Sequence, residues 1–136
     1  MLPQTLDDLV RRHRDRLEIG LATAAELASV SGDVDAVDPP RGRIDGWHIM
    51  ALRDRVVDSI TLHVLGHVED GRSWITSDVV VLASNRARVR TRNSLYLLGA
   101  QATGAPDLRL VLHAAYALRS WGYDERYDLG VLSAVY

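Results

Sequence analysis

The chain is predicted to be one α+β domain: an N-terminal helix, a four-stranded antiparallel meander, and a C-terminal helix packed on the sheet. Three observations lead there. Apolar residues recur at helical spacing near the start, alternate at period two through the middle, and form a second helical stripe after a Gly/Ala/Pro loop. The 136 residues fit a single domain, and a chain of that length buries about 65–70% of its unfolded surface.

A helix is predicted over 6–28. Thr5 stands as its N-cap, with Asp7 and Asp8 in the first turn, where the helix dipole favours negative charge. Leu6, Leu9, Val10, Leu17, Leu21, Ala24, Leu27 and Ala28 supply the stripe. Gly20 interrupts it at about 1 kcal/mol relative to Ala. Residues 33–43 are rich in Asp, Pro and Gly and read as a linker.

The sheet is predicted over 44–98. Its strands run from Trp47 to Leu52, Ser59 to Val68, Trp74 to Ala83 and Ala87 to Leu98. In the second, Ile60, Leu62 and Val64 alternate with Thr61 and His63. Glu69-Asp70-Gly71-Arg72-Ser73 is a hairpin turn, and connections this short favour antiparallel neighbours. Asp107 then caps a helix over 107–121, which Gly122 stops. The tail, 123–136, is acidic and then apolar, with Leu129, Val131, Leu132 and Val135. Such a tail is expected to dock or to meet a second copy, so a homodimer is the expected assembly.

Three absences narrow the chemistry. Without Cys there are no disulfides, thiolate metal sites or thiol nucleophiles. Every one of the 16 basic residues is Arg, which removes Schiff-base lysines and the phosphate-loop lysine. Phe is also missing. The net charge is −2, without the basic excess of a dedicated nucleic-acid binder. No apolar run approaches the roughly 20 residues of a membrane span, and the N-terminus lacks the pattern of a secretion signal. The expected setting is cytoplasmic, away from membranes.

Candidate chemistry is sparse. His63 and His67 lie on one strand but about 13 Å apart, too far to share an ion. His48 faces His63 only if the hairpin register allows it, with Asp45 or Asp78 to complete a site. The histidines are therefore expected on a solvated sheet face, with no metal and no cofactor. There is no Gly-x-Ser-x-Gly elbow, Ser77 sits mid-strand, and the carboxylates are scattered. No enzyme is expected, and no catalytic residue is assigned.

Arg86, Arg88, Arg90 and Arg92 stand at period two with no acid between them. On a strand they project from one face, about 6.6–7 Å apart. Such a stripe suits an acidic protein surface or a nucleic-acid backbone, although no aromatic interleaves it for base stacking. Tyr123 and Tyr127, in Tyr123-Asp124-Glu125-Arg126-Tyr127-Asp128, are candidate partner-binding residues because Tyr and Arg often anchor interfaces.

The pattern Gly66-His67, Gly71-Arg72, Ile75-Thr76-Ser77, Arg90-Thr91 and Tyr96-Leu97-Leu98-Gly99 resembles one in small uncharacterised alphaproteobacterial and phage-borne proteins. It covers about 35 residues, and those proteins look like short β-meanders. The resemblance implies a mobile-element setting and a protein that binds or inhibits host machinery, in an anti-CRISPR-like way. The expected function is thus a non-enzymatic protein-binding module with an acidic partner. The alternative is a nucleic-acid-associated accessory protein using the arginine strand.

Overall fold

The computed structural model describes residues 2–35 and 37–127; the apolar stretch 128–136, expected to dock or dimerise, lies outside them. Two short 3-10 turns, Asp7–Leu9 and Arg11–His13, open the chain. They are followed by β1 (Leu17–Leu21), α1 (Ala24–Val30), β2 (Ser31–Gly32), β3 (Gly42–Asp54), β4 (Ser59–His67) and β5 (Ser73–Ile75). Then come β6 (Val79–Ala83), β7 (Arg88–Thr91), β8 (Leu95–Leu98), α2 (Leu108–Ser120) and α3 (Tyr123–Tyr127). Among the described residues the strands form one eight-stranded mixed sheet, ordered β2-β6-β7-β8-β3-β4-β5, with β1 also paired to β3.

This corrects the four-stranded meander with a helix at each end. The expected N-terminal helix, 6–28, is instead two turns, a strand and a short helix. Leu17 and Leu21 fit both helical spacing and period two, whereas Ile19 between them fits only period two, and pairing decides for the strand. As a strand, β1 runs antiparallel to β3 from Leu17 opposite Asp54 to Leu21 opposite Met50, and Leu17 and Ile19 are fully buried. Gly20 lies within β1, where a Cβ would stand 3.5 Å from the Arg53 side chain. The real helix start lies inside the expected one. Thr23 accepts from the Glu26 backbone N–H, and Glu26 accepts from that of Thr23, a reciprocal capping box.

The expected third and fourth strands each divide in two. Thr76 turns inward, where its hydroxyl accepts from Val64 N and its own N–H donates to Val64 O. That fastening to β4 separates β5 from β6. Thr91 and Ser94 close a tight turn that separates β7 from β8. Two parallel pairings complete the sheet: β2 with β6, and the start of β3 with β8. Of the expected linker, only Gly42–Arg43 at its end is strand, and β2 (Ser31–Gly32) lies just before it.

β3 organises the molecule. Gly46 takes a positive φ of 57° where the register against β4 shifts between Asp45 and His48, a bulge that re-aims the strand. β3 pairs with β8 only before it, with β1 only after it, and with β4 on both sides. Its residues alternate between two cores. Met50 and Leu52 face Leu17, Ile19 and the inner side of α2, at Leu110, Val111, Ala114 and Leu118. Ile49 and Ala51 face Val64, Leu82, Val89 and Tyr96. Asp107 caps α2 by accepting from Leu110 N. No helix among the described residues is long and apolar enough to cross a membrane.

Candidate binding surface

The four arginines of the expected stripe do not form one row. Arg86 sits in the turn before β7 with φ 60°, in the left-handed region. Arg88 and Arg90 share the outer face of β7, and Arg92 lies past its end. Two of the four are neutralised. Arg90 donates to Asp38 at 2.8 Å, and Arg92 lies 3.1 Å from Asp78. Arg88 is exposed and has no acidic partner among the described residues.

The register adds basic residues that the local pattern did not announce. Arg88 pairs with Leu97 on β8, and Leu97 pairs with Arg43 on β3. Paired residues share a face, so Arg88, Leu97 and Arg43 form a row about 9–10 Å wide, two strand spacings. Leu97 is exposed at 37%, an apolar side chain between two guanidiniums. Arg43 lies 3.2 Å from Asp45.

Beside this row, the hairpin after β4 and the seam between β3 and β8 enclose a cleft of about 420 Å³, with Arg41, Arg43, Arg72, Trp74 and Tyr96 in its walls. The Arg41 guanidinium stacks over the Trp74 ring, 4.9 Å from its centroid. Trp74 Nε1 donates to the Tyr96 hydroxyl at 3.2 Å. Arg72 pairs with Asp70 at 2.6 Å. Arg41 and Arg43 come from the expected linker, so only the parallel pairing of β3 with β8 brings them to this place.

The two candidate tyrosines lie elsewhere, on α3. Tyr127 is buried, and its hydroxyl donates to both oxygens of Asp54 at 2.8 Å. Burial, and then the Asp54 bond, push its hydroxyl pKa up. Tyr123 is half-buried 6.1 Å from the Tyr127 ring, with Arg126 over both rings. Tyr127 therefore ties α3 to the end of β3, and offers no surface to a partner.

His48 and His63 are not on a solvated face. His63 is 5% exposed, opposite Met50, while His48 lies opposite Leu65. His63 Nδ1 lies 3.0 Å from the Thr76 carbonyl and Nε2 lies 2.8 Å from the Thr61 hydroxyl. A carbonyl only accepts, so Nδ1 carries the proton and Nε2 accepts from Thr61. Trp121 stacks on the ring at 4.5 Å. Burial holds His63 below the ordinary histidine range, with the Thr76 bond opposing. His48 is also lowered by burial, while Asp107 pulls the other way. His67 Nε2 is 3.4 Å from Asp107. No three side chains of metal-ligating type converge among the described residues.

Comparison with known proteins adds no relative: no family model, curated protein or solved structure matches this chain.

Proposed function

We propose that the chain is a non-enzymatic module that binds a partner protein through the outer face of β7, β8 and the start of β3. The supporting observation is the row Arg88, Leu97 and Arg43. An exposed leucine beside a guanidinium without an acid partner serves folding poorly, whereas Arg and apolar contacts together suit an interface. Asp38, Asp45 and Asp78 lie among these arginines. They thin the positive field that a phosphate backbone needs, which favours a protein presenting carboxylates over nucleic acid. The resemblance to phage-borne proteins directs the search to cytoplasmic host machinery.

The test uses the purified chain and its Arg88→Glu variant as baits in a bacterial extract, with thermal melts alongside. Expected is a protein captured by the parent and lost from a variant that melts normally. Arg88→Lys retains capture if the partner reads diffuse charge and loses most of it if bidentate carboxylate contacts matter. Undiminished capture by Arg88→Glu refutes the reading. So does steeply salt-dependent binding to DNA or RNA in a mobility shift, with a slope set by the phosphates contacted.

A further inference from the structure

We infer that the cleft between the Glu69–Arg72 hairpin and the β3–β8 seam receives a single carboxylate, an Asp or Glu side chain of the partner protein. This rests on the protein-binding reading above. Three observations converge on that one chemistry.

The first is a guanidinium held ready. Arg41 is fixed over the Trp74 ring at 4.9 Å and has no acid partner among the described residues. Stacking on an indole orients the planar fork and leaves its edge N–H groups free for the two oxygens of a carboxylate. The second is a buried donor. Tyr96 is 4% exposed, and its oxygen accepts from Trp74 Nε1 at 3.2 Å, yet its own O–H proton meets no acceptor among the described residues. The hydroxyl has one partner in Trp74, and its O–H can still donate to an incoming oxygen.

The third is the charge count. Arg41, Arg43 and Arg72 line the cleft together with Glu69 and Asp70, three positive charges against two negative. Arg72 is held by Asp70 and Arg43 by Asp45. That leaves Arg41 as the guanidinium of the cleft without an acid partner among the described residues, and Glu69 as the carboxylate without a basic one. A phosphate dianion would bring two negative charges to one unpaired guanidinium beside the Glu69 and Asp70 carboxylates. A nucleic-acid base would find one face of Trp74 already covered by Arg41, which removes the stacking platform of single-strand binders. The cleft volume of about 420 Å³ accommodates a side chain with its neighbouring backbone.

The experiment titrates the ¹⁵N-labelled full chain, at constant ionic strength, with an oligo-glutamate peptide, inorganic phosphate and a single-stranded oligonucleotide. Of the three indole N–H signals, the peptide is expected to move that of Trp74 and to leave Trp47 and Trp121 in place. Arg41→Ala and Arg41→Lys each raise the peptide Kd about tenfold, since both lose the oriented fork. Tyr96→Phe raises it about threefold to tenfold. Equal affinity in parent and Arg41→Ala overturns the proposal, as does tighter binding of phosphate or oligonucleotide at Trp74. Arg88→Glu separates the two readings. Loss of the captured partner on Arg88→Glu but not on Arg41→Ala sinks the cleft alone. A partner that survives both substitutions sinks both.

Discussion

Replacing Arg53 by Met is expected to be the most informative test of how the fold is tied together. Arg53 Nε and Nη2 donate to the two oxygens of Glu26 at 2.8 Å, and Nη1 donates to Glu18 at 2.7 Å. Nη2 also reaches the Leu21 carbonyl at 3.2 Å. One guanidinium therefore joins β3 to β1 and to the capping box of α1. The side chains of Arg53 and Glu26 are 19% and 14% exposed, so solvent screens their pairing only in part. The Arg53 bonds hold the Glu26 carboxyl at about 2, against an ordinary 4.5. That depression corresponds to about 3 kcal/mol at neutral pH.

Met keeps the apolar stem and removes every donor. Arg53→Met should therefore lose about 2–4 kcal/mol at pH 7, including the cost of leaving Glu26 half-buried and unpaired. The sign of the pH dependence follows from the depressed folded value. The contribution is fully present above about pH 4.5 and is lost as pH falls through about 2. At pH 3 roughly 1.4 kcal/mol of it remains, so the deficit of the variant should shrink there by more than half. Urea unfolding of parent and variant at both pH values measures this. A deficit below about 1 kcal/mol at pH 7, or one of equal size at pH 3, refutes the reasoning.

Gly66→Ala should cost about 2–3 kcal/mol or prevent folding, because its Cβ would meet Ile44 Cγ2 at 2.6 Å and the Asp45 carbonyl at 2.9 Å. Gly42→Ala, with open space around it, is the control, and similar melting of the two variants would contradict the packing. Tyr127→Phe should lose about 1–2 kcal/mol in a melt through the Asp54 bonds; an unchanged melt would show that α3 is held by ring packing alone. Burial lowers the pKa of His48, His63 and His113. The unfolded chain thus takes up those protons first, and stability should decline as pH falls below about 6.5. A flat stability profile from pH 8 to pH 5 would count against it.

Where the signal was local, the sequence was legible. Asp107 caps the helix that follows it, the alternation from Ser59 gives β4, and the Glu69–Ser73 turn joins β4 to β5. Caps, turns and periodicity act within a few residues, and a linear reading captures them. The segment around Leu17–Leu21 was ambiguous for a physical reason: Leu17 and Leu21 fit a helical stripe as well as a strand face, Ile19 alone breaks the helical reading, and five register pairs with β3 select the strand. The bulge at Gly46 and the parallel pairing of β3 with β8 carry no local signature.

The candidate site divides in the same way. The period-two arginines are a property of the sequence, and absent Cys and Lys exclude thiol and Schiff-base chemistry whatever the fold. Which guanidiniums stay free is a tertiary fact. Arg90 is neutralised by Asp38 from 52 residues away, whereas Arg88 has no acid partner among the described residues. Arg41 and Arg43 reach the same surface only because β3 lies parallel to β8. Tyr127, read from sequence as an interface anchor, is instead bonded to Asp54 across 73 residues. Side-chain charge and shape are written in the chain, but whether a charge is paired or a ring is buried depends on contacts between distant segments, which exist only once strand order and register are set.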